Sequence, residues 1–276
     1  MQEKLIVGLA QIKGSNSVAQ NLEKVDKFTR LASEEGIQFL VFPEMLMALP
    51  SSAHPPGYIA RQHGKIFEES AAEIAAKHKI YLAITCWEES DEPDKAYNKA
   101  IVFDSDGSIV ATYRKAHLFD ALDIQESKFT KPGNQLSEPF PLHGFSVGIT
   151  ICYDLRFPEL YRHLATKGTD LILVLAAWYQ GTAKEDHWLT LLKARAIENT
   201  CYVAGCNMVG KTFCGRSAIF DPFGICLGDA GEEEKLINAE ITLNRLKQVR
   251  SKLPALNHRR PELFSNVHSP KKGSTP

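Results

Sequence analysis

Three strand-like runs in this 276-residue sequence end in a side chain able to do chemistry: Phe39-Leu40-Val41-Phe42-Pro43-Glu44, Val110-Ala111-Thr112-Tyr113-Arg114-Lys115 and Gly148-Ile149-Thr150-Ile151-Cys152. A carboxylate, an ammonium and a thiol are a base, a cation and a nucleophile, the groups used in nucleophilic cleavage of a carbonyl compound. A thiol with a pKa of about 8.5 is mostly protonated at neutral pH, so attack requires a nearby base to take its proton. Side chains at strand ends of α/β sheets can converge outside the core, and the threefold recurrence of the pattern suggests one shared pocket. Each residue also has an ordinary reading: a solvated Glu after a strand, a surface Lys beside Arg114, a core Cys closing an apolar run.

The elements that must position these groups alternate between strand-length apolar runs and longer amphipathic stretches, the pattern of an α/β fold with helices outside a sheet. Leu5 to Ile12 reads as a strand. Asn21 to Glu35, with Leu22, Val25, Phe28 and Leu31 at helical spacing, reads as a helix, and Phe39 to Phe42 as a second strand ending at Pro43-Glu44. A helix around Lys65 to His78 and a strand at Ile80 to Trp87 follow. Strands at Ala100 to Asp104 and Ile109 to Tyr113 flank an Asp-Gly turn, a strong hairpin signal. Further on the pattern gives a strand at Phe145 to Cys152, a helix from Pro158 to Lys167, a strand at Leu171 to Ala176, a helix at Glu185 to Asn199 and a strand at Cys201 to Cys206. Pro222-Phe223-Gly224 marks a turn between two more strands, and Leu49 to Gly57 and Asp91 to Lys95 read as exposed loops.

The composition, 44% hydrophobic and 24% charged, is that of an ordinary globular protein. A net charge of −1 without a long Lys/Arg run offers no basic footprint for a phosphate backbone, so nucleic acid is not an expected partner. No stretch approaches the length that spans a bilayer, and Met1 to Leu5 does not begin a signal peptide, so no membrane association and a cytoplasmic location are expected. Six cysteines then read as reduced thiols. Cys201, Cys206 and Cys214 have gaps that fit no zinc pattern, and no metal is expected. No linker or internal repeat divides the sequence, so residues 1–264 are expected to form one domain, with 265–276 a disordered tail.

The segments Val41-Phe42-Pro43-Glu44, Tyr113-Arg114-Lys115-Ala116-His117-Leu118 and Gly148-Ile149-Thr150-Ile151-Cys152-Tyr153-Asp154-Leu155-Arg156-Phe157-Pro158-Glu159 resemble, in order, the three signature blocks of the carbon–nitrogen hydrolase (nitrilase) superfamily. The resemblance runs from Leu5 to Phe264. It implies a four-layer αββα sandwich, a homodimer, a Glu-Lys-Cys triad and no cofactor. By that resemblance Glu44 is the base, Lys115 stabilises the oxyanion with the backbone N–H of Tyr153, and Cys152 forms a thioester that water then hydrolyses. Glu126 matches a second family glutamate that holds the lysine and substrate; its ordinary reading is a loop carboxylate.

A second group of segments bears on substrate. His117-Leu118-Phe119-Asp120, Ile124-Gln125-Glu126-Ser127, Ala177-Trp178 and Lys184-Glu185-Asp186-His187-Trp188 are most similar to the bacterial amidases that split deaminated glutathione, the 2-oxo analogue of glutathione, into 2-oxoglutarate and cysteinylglycine. Ala176-Ala177-Trp178-Tyr179-Gln180-Gly181 follows a strand and Lys184-Glu185-Asp186-His187-Trp188 opens the next helix, so both segments, Trp178 and His187 among them, are expected on the pocket rim, although Trp178 and Trp188 also read as core aromatics. Arg156 could grip a substrate carboxylate or could pair with Asp154 or Glu159. The omega-amidases, acting on 2-oxoglutaramate or succinamate, share every catalytic block. Nitrilases commonly carry Trp-Glu after the nucleophile, where this sequence has Tyr153-Asp154. From other classes, a hydrolase pairing Cys152 with His117 or His187 and a binding protein without activity remain as alternatives.

Overall fold

β1 (Lys4–Gln11) is buried on both faces, and its side chains divide accordingly: Leu5, Val7 and Leu9 enter one apolar layer, Ala10 another. In the computed structural model, which describes residues 4–264, this strand begins a chain of two matching halves. The expected tail at 265–276 lies outside the described residues.

The first half runs α1 (Val18–Glu34), β2 (Phe39–Val41), α2 (Pro56–His78), β3 (Tyr81–Glu89), β4 (Ala96–Phe103) and β5 (Ile109–Arg114). Two small strands, β6 (Asp120–Ala121) and β7 (Ile124–Gln125), and β8 (Phe140–Leu142) lead to the second half. It comprises β9 (Phe145–Ile151), α3 (Pro158–Thr166), β10 (Leu171–Ala176), α4 (Lys184–Asn199), β11 (Tyr202–Asn207), β12 (Ala218–Phe220) and β13 (Cys226–Asp229). β14 (Lys235–Thr242) and α5 (Leu243–Lys252) complete the fold.

The sheets have the orders β14-β1-β2-β3-β4-β5 and β13-β12-β11-β10-β9-β8. In each, three parallel strands linked by helices are extended by two antiparallel strands on one side and one on the other. The topology therefore repeats where the sequence shows no repeat, because each half keeps only the apolar pattern that its layers require. One core joins Leu5, Val7 and Phe39 of the first sheet to Ile149, Leu173 and Ala204 of the second, and takes in Leu164 of α3 and Trp188 and Leu192 of α4. A separate core packs Val25 and Phe28 of α1 and Phe67 and Ala71 of α2 onto Leu40, Leu82 and Ile84. The result is the expected four-layer αββα sandwich.

Strand glycines bring the helices of the second half close. A Cβ at Gly148 would lie 2.9 Å from Leu164, and one at Gly205 would lie 2.6 Å from Leu192 and 2.8 Å from Trp188. Overfilling such a contact destabilises by about 1–3 kcal/mol.

The structure corrects one boundary. α2 starts at Pro56, well before Lys65, and Pro56 and Gly57 are buried instead of lying in an exposed loop. The Pro-rich segment reads as a loop, yet proline is favourable at the first helical position, where its missing N–H has no partner to lose. β14 and α5 were not among the elements read from the sequence. No helix among the described residues is long and apolar enough to cross a membrane.

Candidate active site

Three of the four expected catalytic residues sit just past strands of the two sheets. Glu44 follows β2 on a turn fixed by Thr85 of β3, whose hydroxyl donates to the Pro43 carbonyl (3.1 Å) and accepts from the Leu46 N–H (3.2 Å). Lys115 follows β5, and its N–H donates to the Asn98 carbonyl at 2.9 Å. Cys152 follows β9 at φ +46°, in the left-handed region where a side chain is strained.

The fully buried Asp154 braces that bend. Its carboxylate accepts from the Ile151 N–H (2.9 Å), the Tyr113 hydroxyl (2.9 Å) and the His117 N–H (3.1 Å), and lies 2.7 Å from His117 Nδ1. At the start of the 3₁₀ turn Cys152–Arg156 the first N–H groups, that of Tyr153 among them, have no partner within the turn.

These segments bring the four side chains together. Lys115 Nζ donates to Glu44 Oε1 at 2.8 Å and to both Glu126 oxygens, at 3.0 and 2.9 Å. Glu44 Oε1 also accepts from Asn98 Nδ2 (2.8 Å), and its Oε2 from the Ala177 N–H (2.8 Å). Glu126 accepts from the Phe119 N–H at 2.6 Å. Glu44, Lys115, Glu126 and Cys152 line one chamber, whose walls include Phe119, Tyr153, Trp178, Tyr179 and Lys184.

The electrostatics follow from burial and these contacts. Burial pushes the Cys152 thiol well above its usual range, and Glu44 adds to the effect through its charge and a hydrogen bond, with Lys115 opposing. Burial alone would depress Lys115, but Glu126 and Glu44 outweigh it and hold the ammonium well above its usual range. Glu126 is raised, first by burial and then by the charge of Glu44, against the pull of Lys115. The resting site is therefore a protonated thiol beside a carboxylate that can take the proton and a fixed cation that can meet developing negative charge.

The other sequence candidates divide. Tyr153 and Trp178 line the chamber, and Trp178 is also a buried aromatic whose indole N–H donates to the Lys184 carbonyl. Trp188 is core, with its N–H on the Arg216 carbonyl. Arg156 pairs with neither Asp154 nor Glu159: its guanidinium lies over the Trp178 ring at 4.8 Å, with Nη2 3.3 Å from His187 Nδ1. His187 is exposed and stands outside the chamber wall, because it projects from the solvent side of the first turn of α4. Neither histidine is placed to serve Cys152, since His117 is held by Asp154 and stacks on Phe157 at 3.7 Å.

Sequence reading misses Asn98, and it gives no individual role to Phe119, Tyr179 and Lys184, which stand in the segments read as bearing on substrate or as pocket rim and which line the chamber. Asn98 lies mid-strand and carries no local signal. Lys184 does: it is a cation in the first turn of a helix, where the backbone dipole favours anions.

A family model described as carbon-nitrogen hydrolase matches residues 6–251. A deaminated glutathione amidase of Escherichia coli O157:H7 is 35% identical over 258 residues, 93% of this chain and 97% of the relative. A 2-oxoglutaramate amidase of Bacillus subtilis is 34% identical, covering 89% of this chain and 93% of its own. Among solved structures, an amidase from Nesterenkonia sp. superposes with a TM-score of 0.84 at 26% identity, over 97% of this chain and 98% of that one. A mutant of that amidase carries the acetamide moiety of fluoroacetamide added covalently at its active site cysteine.

Proposed function

We propose that this chain, which belongs to the carbon–nitrogen hydrolase family and is an amidase, cleaves its substrate through a thioester on Cys152. The observation that carries this reading is the contact of Lys115 Nζ with both Glu44 and Glu126 on the wall of the chamber that holds the Cys152 thiol. Glu44 takes the thiol proton as Sγ attacks the amide carbon, and the oxyanion is met by Lys115 and the Tyr153 N–H. Collapse breaks the C–N bond, the amine leaving with the proton held by Glu44. Glu44 then takes a proton from water, which attacks the thioester and restores the thiol. Glu126 holds Lys115 in position throughout.

The substrate is a small carboxylate-bearing amide, and deaminated glutathione is the first choice, cleaved to 2-oxoglutarate and cysteinylglycine. The similarity to the Escherichia coli amidase supports it. The second reading, hydrolysis of 2-oxoglutaramate, is supported by the Bacillus subtilis relative. Measuring kcat/KM on both tests the choice, and a tenfold preference, about 1.4 kcal/mol in transition-state binding, decides it. No turnover of either would reject the substrate class.

A cytoplasmic homodimer fits this reading. All six cysteines are free, as in a reducing compartment. Ile197, Phe223 and Ile225 are exposed apolar side chains near one another, since the Gly224 turn lies against Ile197. Light scattering at micromolar concentration tests the dimer; a monomer mass rejects it.

A further inference from the structure

Lys184 is only 6% exposed, yet among the described residues no carboxylate pairs with it and its Nζ makes no hydrogen bond. What holds the ammonium is two aromatic faces, Trp178 at 4.7 Å and Phe119 at 5.2 Å. It lines the same chamber as Cys152, and its Nζ, without a hydrogen-bond partner, is not fully sealed. Another cation, Arg156, lies over the same Trp178 ring. A buried charge is ordinarily paired, and here the pair is missing only on the side where a substrate would lie.

We infer that Lys184 is a specificity-determining residue whose ammonium binds the carboxylate at the far end of the substrate's acyl group, so that the enzyme selects half-amides of short dicarboxylic acids. The inference rests on the amidase reading and sharpens it. Deaminated glutathione and 2-oxoglutaramate share one acyl group, which carries a 2-oxo acid carboxylate, and differ only in the amine that leaves. A lysine that reads the acyl carboxylate admits both and rejects neutral amides of the same length. Phe119 and Trp178, by holding the ammonium without neutralising it, keep it ready for an anion.

The test separates this inference from the reading beneath it. Binding of 2-oxoglutarate is measured by calorimetry on Cys152→Ala protein, alone and combined with Lys184→Met, Lys184→Gln or Arg156→Met. Loss of one charge-assisted contact should weaken binding about tenfold to a hundredfold in the Lys184 variants. In parallel, the ratio of kcat/KM for succinamate over butyramide, which lacks the carboxylate, should fall by a similar factor in Lys184→Met with Cys152 intact. Lys184→Arg should restore part of it. A fall in both amides that leaves the ratio intact, unaltered binding of 2-oxoglutarate, or binding lost only with Arg156→Met overturns the inference. A wild-type protein that turns over no amide overturns the amidase reading instead, whatever the binding shows.

Discussion

Helix α4 carries two buried cations in opposite circumstances. Arg195, 5% exposed, gives Nε and Nη2 to the Leu155 carbonyl at 3.2 and 2.7 Å and Nη1 to Glu198 at 2.9 Å. Lys184, three turns earlier and about as buried, lies against two aromatic faces and has no hydrogen-bonded or ion-paired partner for its charge among the described residues. The same contrast holds more widely. Where α5 meets the second sheet, Arg250 reaches Asp170 and the carbonyls of Thr169 and Thr200. Around the chamber, by contrast, a thiol is held at a strained φ and two carboxylates crowd one ammonium. Saturated polar contacts stabilise the fold; incomplete or strained ones leave interactions for a substrate to complete.

The widest separation should come from Cys152→Ala set beside Arg195→Met. Removing the nucleophile should lower kcat at least about 10⁴-fold. It should barely change the urea midpoint, since the thiol is a small group on the chamber wall. Removing the guanidinium leaves the Leu155 carbonyl without its donors and should destabilise by about 1–3 kcal/mol, read from the same urea curves. Comparable loss of stability in the two variants would erase the distinction between the regions.

What was legible in the sequence follows the same division. Glu44, Lys115 and Cys152 could be found because each closes an apolar run, so the signal is local. The boundary at Pro56 was hidden because proline's favourable place at a helix start looks like a loop in a Pro-rich segment. Asn98, which donates to Glu44 across 54 positions, and Asp154, which gathers groups from β5, the His117 segment and β9, depend on contacts between strands that no local pattern encodes. Lys184 stood in a segment already assigned to the rim, and its placement against the helix dipole was the sign of a special role. For Arg156, sequence neighbours suggest partners, but Asp154 is taken by Ile151, Tyr113 and His117, and the guanidinium lies on Trp178 instead.

Asp154 links the two regions, since a fully satisfied carboxylate holds the strained residue. Asp154→Asn keeps the shape but replaces one acceptor oxygen with a donor that opposes the Ile151 and Tyr113 donors. We expect kcat to fall about tenfold to a hundredfold with KM little changed, together with a loss of about 1–3 kcal/mol in stability. A loss of stability with normal kcat would make Asp154 part of the scaffold alone, and the bend at Cys152 would then need another support.

The smallest effect concerns which group titrates first. Glu126 is raised by burial and by Glu44, whereas Lys115 and Cys152 are held well above their usual ranges and keep their protons through neutral pH. A raised carboxyl takes up its proton early as pH falls, and in doing so weakens its grip on Lys115. The acid limb of kcat/KM should therefore lie above about 4.3, the ordinary glutamate value, and no loss on the alkaline side should arise from Lys115 up to about pH 9. In Glu126→Gln the limb should move to lower pH while kcat falls, because the amide no longer titrates but holds the ammonium less well. An unmoved limb would assign the titration to another group, and the crowded ammonium would then be as firmly fixed as the saturated arginines behind the sheet.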